Sequence, residues 1–420
     1  MLSGVRHLRP LVAVALAASV AVAGCTRTTD GYAHREMPAI GAPIVWEECL
    51  SAKAAADPEY AGTRCGRLGV PIDYDKPDGA TASIFIVKIP AKGNKIGSLI
   101  INPGGPGESG ANSALSLVSR LPAEIRERFD LVGFDPRGVG RSKPTLWCNS
   151  DADNDRLRAD PMVDYSPAGV THIEDETKQF VQRCVDRMGT GFLENIGTAS
   201  IVKDLDALRA ALGDNKLTYL GYSYGTRIGS SYAERYPQNV RAMVLDGAID
   251  PSADPTEADV RQAKAFQEAF NEYAAECAKS PDCALGSDPA KAVEVYHDLI
   301  DPLVTKPAST KDPRGLSYSD AIVGTILPMY APSLWPGLNA ALRGLRDGHG
   351  DKLLELADQY MQRQADGSYS NATDARAAVN CVDRPPVKDR AVAVDADRRI
   401  RQVAPFMSYG DFTGHAPLST

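Results

Sequence analysis

Apolar positions along the chain fall into two regimes. From about Leu68 short apolar runs alternate with stretches whose apolar residues recur every three or four positions. That alternation predicts an α/β fold, a mostly parallel sheet with helices on both faces. The clearest predicted strands are 82–89, 98–102, 131–134, 217–220 and 242–245. Between them, 200–212 sets Ile201, Leu205, Leu208 and Leu212 on one helical face, with Gly213 as its stop. A second helix is predicted over 226–236 and ends at Pro237. After Asp250 helical periodicity dominates, in 257–279, 290–303 and 340–363 with a break near Gly348. No convincing run of the buried-strand type follows. The expected organisation is a core over 44–250, then an inserted helical cap and the start of a C-terminal region over 251–420.

The N-terminus follows neither regime. Arg6, His7 and Arg9 precede an apolar stretch over 10–23, which closes on Val22-Ala23-Gly24-Cys25. A basic start, a short apolar run and small residues before a cut site form a secretory signal. The stretch is shorter than the roughly 20 apolar residues that span a bilayer. Small residues directly before a cysteine are similar to the bacterial lipobox, in which Cys25 would be lipidated and become the new N-terminus. Residues 1–24 then read as a lipoprotein signal peptide and 25–43 as a tether. The plainer alternative is ordinary signal cleavage with Cys25 incidental. Either way the protein is expected to be exported, and to be lipid-anchored on the outer face of the cell membrane or secreted.

Composition narrows the partners. The 420 residues are 43% hydrophobic and 24% charged, ordinary for a globular chain, and the net charge is −8. An acidic chain of this kind is not expected to bind nucleic acid, which needs a basic face. Export permits disulfides. With Cys25 set aside, Cys49 with Cys65, Cys148 with Cys184, and Cys277 with Cys283 are near in sequence and plausible pairs, which leaves Cys381 outside them. No Cys/His spacing suggests a zinc site, and no cofactor or metal is expected.

Three motifs carry chemistry. Gly221-Tyr222-Ser223-Tyr224-Gly225 directly follows a predicted strand and precedes a helix. In that setting G-x-S-x-G makes a sharp turn that lifts Ser223 to the top of the sheet as a nucleophile, over a helix N-terminus that favours negative charge. Its plain alternative is a Gly-rich turn with a solvated serine. Ile101-Asn102-Pro103-Gly104-Gly105-Pro106-Gly107 ends another strand. A loop there can donate one N–H to an oxyanion hole, expected from Gly105, with the Tyr224 N–H as the second donor. Asp135-Pro136-Arg137-Gly138-Val139-Gly140-Arg141-Ser142 also closes a strand. Asp135 and Arg137 are expected to brace that turn near the oxyanion loop rather than to touch substrate.

Together these motifs and their order resemble the proline iminopeptidase/tripeptidyl aminopeptidase family of α/β-hydrolases. Leu245-Asp246-Gly247 and Ala378-Val379-Asn380-Cys381-Val382-Asp383 resemble its secreted, disulfide-bearing branch. The resemblance runs from about Trp46 to the end of the chain. It implies hydrolysis at the N-terminus of peptides, with related members also cleaving esters. Asn102 stands where many proline iminopeptidases carry histidine, and here the tripeptidyl branch is the better match.

A nucleophilic serine needs a histidine base and an orienting carboxylate, in the order Ser, Asp/Glu, His on loops after core strands. No C-terminal segment of that form is legible. His415 and then His349 are the candidates for the base, ahead of His297 and His172, and Asp246 is a candidate for the acid. The resemblance also implies a partner for Cys381 further along. The expectation is therefore a chain that stops early, lacking the last core strands and leaving the sixth strand as an exposed hydrophobic edge. The expected activity is a serine hydrolase cleaving short peptides from a free N-terminus through an acyl-enzyme on Ser223. Glu108, beside the oxyanion loop, is a candidate to hold the substrate's α-amino group. The alternatives are a carboxylesterase or lipase of the same fold, or a noncatalytic envelope lipoprotein.

Overall fold

The computed structural model describes residues 38–418. The signal segment, Cys25 and most of the tether lie outside the described residues. Six strands form one mixed sheet: β1 (Arg64–Pro71), β2 (Thr81–Ile89), β3 (Gly97–Asn102), β4 (Phe129–Asp135), β5 (Leu217–Tyr222) and β6 (Val240–Asp246), in the order β1-β2-β4-β3-β5-β6. β3 pairs in parallel with both β4 and β5, and β5 with β6. β1 and β2 join antiparallel, as do β2 and β4.

All five expected strands form. Every residue of β3 is buried, which explains the apolar run Leu99-Ile100-Ile101 at its centre. β1 escaped the pattern because Gly66 and Gly69 interrupt it. A Cβ on Gly66 would lie 2.3 Å from Ile44 Cγ2, and one on Gly69 would lie 2.1 Å from the Pro38 carbonyl oxygen. The glycines are there because the segment before β1 crosses it at close range, bridging Ile40 to Gly69 and Glu47 to Cys65. Among the described residues β6 lies at the sheet edge, paired only with β5, and its Val244 is 60% exposed.

The helices Thr198–Ala211 and Tyr224–Arg235 cover the sheet, and Ile201, Leu205, Leu208, Ile228 and Tyr232 join its main core. Beyond β6 the helices Pro255–Cys277, Ala292–Ile300, Trp335–Arg346 and Asp351–Tyr360 enclose a second core. There Phe270 stacks on Phe406 at 4.6 Å and meets Tyr296 edge-on at 5.3 Å. The helix Ala372–Asp383 leaves this second core: its Ala378 and Val379 pack with the sheet-side cluster.

The three cysteine pairs suggested by sequence proximity form disulfides. Cys148–Cys184 closes a 36-residue separation inside the main core. Replacing both by alanine is expected to lower the unfolding free energy by about 3 to 4 kcal/mol, read by urea denaturation. A loss below about 1 kcal/mol would mean that the unfolded chain gains little freedom from the cut.

Ion pairs bind the helical region to the segment after β4. Arg363 with Asp155 and Arg158 with Asp320 make that link, while Arg314 pairs with Asp312 and Asp358 within the helical region. Hydrogen bonds from Arg314 hold the Asp312 carboxyl down at about 2. Burial opposes ionisation of Asp155, but hydrogen bonds from Arg363 and Tyr369 outweigh it and that carboxyl is also lowered. Asp320 behaves oppositely, because its deeper burial pushes the carboxyl up against the pull of Arg158. The lowered carboxyls of Asp312 and Asp155 stabilise the fold fully above their unfolded value near 4, and that stability is lost as pH falls through their folded values. Thermal unfolding is expected to drop between about pH 4 and pH 2, with Asp312→Asn flattening part of that drop. An unchanged slope in the variant would rule Asp312 out as a contributor.

Candidate active site

β5 runs straight into Ser223, which caps the helix Tyr224–Arg235 with φ 51° and ψ −121°. A non-glycine residue at positive φ is strained by about 1 to 3 kcal/mol and persists only where its surroundings hold it. Here the Ser223 N–H donates to the Asp246 carbonyl at 2.9 Å, and the Ser223 carbonyl accepts from Thr226 N and Thr226 Oγ1 at 2.8 and 2.7 Å. The side chain is exposed, and no described residue hydrogen-bonds its Oγ. The turn packs closely on β3: a Cβ on Gly225 would lie 2.7 Å from the Asn102 carbonyl oxygen.

The loop after β3 reaches the same place. A Cβ on Gly104 would lie 2.9 Å from Tyr224 N and 3.0 Å from Ser223 Cβ, so glycine alone allows the contact. The Gly104 N–H is already used, donating to Oδ1 of the buried Asn102 at 2.9 Å. The N–H groups of Gly105 and Tyr224, in contrast, meet no acceptor among the described residues. Asn102 thus fixes the loop from inside, a duty that its sequence position hinted at only as a departure from histidine.

The turn after β4 is a brace, as expected. Asp135 accepts from Ser109 Oγ, Ala111 N at 3.2 Å and Arg141 N at 2.9 Å. Burial nonetheless pushes its carboxyl above the usual range, with Ser109 and Arg141 pulling the other way. Arg137 is fully buried, and it donates to both oxygens of Asp204 at 2.6 and 2.7 Å and to the carbonyls of Pro71, Ile72 and Asn195. No donor remains for a substrate.

Glu108 is not an open carboxylate. It accepts from Gln362 Nε2 at 2.6 Å and lies 3.6 Å from the Arg376 guanidinium. Its charge is met from within, which weakens the suggestion that it receives an α-amino group.

Three of the four described histidines bond their rings to groups other than Ser223. His172 bonds Asp160, His297 bonds Asp301 and the Pro405 carbonyl, and His415 bonds the Thr413 carbonyl. His349 is exposed in the turn after Trp335–Arg346 and bridges to Ser309. None of them is brought to the serine by a hydrogen bond. Asp246 is nearer, its backbone holding the elbow and its charge helping burial to raise the Tyr222 hydroxyl. A cavity of about 630 Å³ opens between the helices Pro255–Cys277, Tyr318–Ile326 and Arg390–Val403, but Ser223 does not line it.

An exposed serine on a strained strand-to-helix turn, beside a glycine loop with a free N–H, defines a serine hydrolase. The alpha/beta hydrolase fold matches residues 97–390, and the chain belongs to this family. It is 61% identical over 421 residues to serine protease Hip1 of Mycobacterium tuberculosis, covering 98% of this chain and 80% of that protein. It is 51% identical to carboxylesterase B of the same organism, covering 90% and 74%. To the tripeptidyl aminopeptidase of Streptomyces coelicolor it is 30% identical, covering 94% and 73%. Among solved structures, proline iminopeptidase from Mycobacterium smegmatis is similar at 17% identity and a TM-score of 0.31, covering 74% of this chain and 78% of that one.

Proposed function

We propose that Ser223 is the nucleophile, that the Gly105 and Tyr224 N–H groups stabilise the oxyanion, and that the substrates are short peptides cleaved from a free N-terminus. One observation carries the catalytic part: a strained, exposed serine next to the Tyr224 N–H, which, like the Gly105 N–H in the adjoining loop, meets no acceptor among the described residues. Attack by Oγ on the scissile carbonyl places negative charge on its oxygen, which those two donors would stabilise. The Oγ proton passes to a base and then to the leaving amine, and water releases the acyl group from Ser223. Asp246, at the end of β6 beside the elbow, is the candidate carboxylate. The likeness to a serine protease and to a tripeptidyl aminopeptidase supports a peptide substrate, and that to a carboxylesterase supports an ester.

The test offers the full chain a tripeptidyl anilide with a free N-terminus, its N-acetylated counterpart and an aryl ester. Turnover of the first, lost on acetylation, is the expected result. Turnover of the ester alone would give the esterase reading, and no turnover by a folded sample would overturn hydrolysis by this chain.

We also propose that Cys25 carries the lipid that holds the protein on the outer face of the membrane. The support is the small-residue run before it and the basic, apolar segment preceding that. Cys25→Ser is expected to move the protein from the membrane fraction to the medium. Retention of the variant in the membrane would sink the idea.

A further inference from the structure

The two halves of the oxyanion hole come from loops some 120 positions apart in sequence, and one helix touches both. Along Ala372–Asp383, residues Ala372, Arg376, Val379 and Asp383 succeed one another at spacings of four, three and four, which sets them on one face. At its start, the Ala372 carbonyl oxygen lies 2.3 Å from where a Cβ on Gly107 would stand, and Arg376 pairs with Glu108 at 3.6 Å. In its middle, Val379 is buried in the core cluster that includes Tyr224.

At its end the Asp383 carboxylate does two things. It accepts from Thr198 N at 2.8 Å and from Thr198 Oγ1, capping a helix whose own N-cap, Gly197, has no side chain to offer. It also lies 3.3 Å from the hydroxyl of the buried Tyr224, which in turn is 2.6 Å from Thr198 Oγ1. The Asp383 carbonyl accepts from Arg227, one turn further along the elbow helix, at 3.1 Å. Arg376 and Asp383 are seven residues apart, two turns or about 10 Å along a rigid rod.

We propose that this helix is the strut that sets the spacing between the oxyanion donors, with Arg376 and Asp383 as its positioning residues. Arg376 holds the Gly105–Glu108 loop through Glu108. Asp383 holds the elbow through the phenol of Tyr224, the residue whose N–H is the second donor. Neither touches the substrate. Each fixes one donor relative to a common element, so that both meet the same oxygen. The inference rests on the catalytic reading of Ser223, Gly105 and Tyr224 given above.

The experiment compares Asp383→Ala, Asp383→Asn, Arg376→Ala and Tyr224→Phe in the full chain. Two readouts are taken: turnover of the preferred substrate, and hydrogen exchange in peptides covering 104–108 and 222–226. A missing oxyanion donor costs about 100-fold to 1,000-fold in kcat, so a misplaced one is expected to cost about 10-fold to 100-fold with KM nearly unchanged. Asp383→Ala and Tyr224→Phe should speed exchange at 222–226 by about tenfold and leave 104–108 alone, and Arg376→Ala should do the reverse. Asp383→Asn keeps an acceptor for Thr198 N and should recover most of the loss. If Asp383→Ala lowers the melting temperature but leaves kcat and elbow exchange as they were, Asp383 is only a helix cap and the proposal fails. If the wild-type chain turns nothing over, the reading of Ser223 fails, and exchange at the two segments still decides whether the helix holds them.

Discussion

Ser223→Ala is expected to abolish turnover, by a factor on the order of 10⁴ to 10⁶, while leaving the fold intact. The size comes from the site. In the proposed mechanism every other contribution, including the two unmet N–H groups and the helix N-terminus, acts on charge that develops only after Oγ has attacked. With Oγ gone those groups bind a ground-state carbonyl and have no oxyanion to stabilise. The fold should survive because the elbow is held by backbone bonds to Asp246 and Thr226, which alanine keeps. Ser223→Gly makes a sharper comparison. It removes the same nucleophile and also relieves the positive φ, so it should be the more stable of the two variants by about 1 kcal/mol. Covalent labelling by a fluorophosphonate, and thermal unfolding of both variants, check the pair. Labelling that persists in Ser223→Ala would move the nucleophile elsewhere.

Arg137→Met is expected to destabilise the whole fold by about 3 to 5 kcal/mol. Arg137 and Asp204 are both buried, and their attraction offsets the desolvation of two charges. Methionine leaves the carboxylate of Asp204 with the Tyr74 hydroxyl, 2.8 Å away, as its remaining side-chain partner. The carbonyls of Pro71, Ile72 and Asn195 lose their donors as well. Those carbonyls tie the end of β1 and the approach to the helix Thr198–Ala211 to the turn after β4, so the loss spreads through the core. The double variant with Asp204→Leu removes the stranded charge and should regain part of the loss, though the carbonyls stay unpaired. Urea midpoints at constant slope measure both. A single variant within about 1 kcal/mol of wild type would show that the buried pair does little for the fold.

Much of this protein is legible in its amino-acid sequence. Five of six strands stand out because each carries a short apolar run between turn or helical signals. The serine elbow is recognisable because its motif sits between a strand and a helix, where the turn has to be tight. The cysteine pairs are near neighbours along the chain. The elbow helix starts at Tyr224 rather than Thr226, directly after the sharp turn at Ser223, which periodicity does not record.

What sequence alone determined here is local: which segments are strands or helices, where the chain turns sharply, and which serine stands on that turn. Only the tertiary structure decided that β1 is a strand, because its glycines answer to a segment crossing it. It also decided that Glu108 is already paired, and that Gly105 rather than Gly104 keeps a free N–H. It decided too that Asp383, 160 residues beyond the elbow, meets the phenol of Tyr224. Contacts of this kind join residues far apart in the chain, and their geometry is set by packing rather than by the character of either partner.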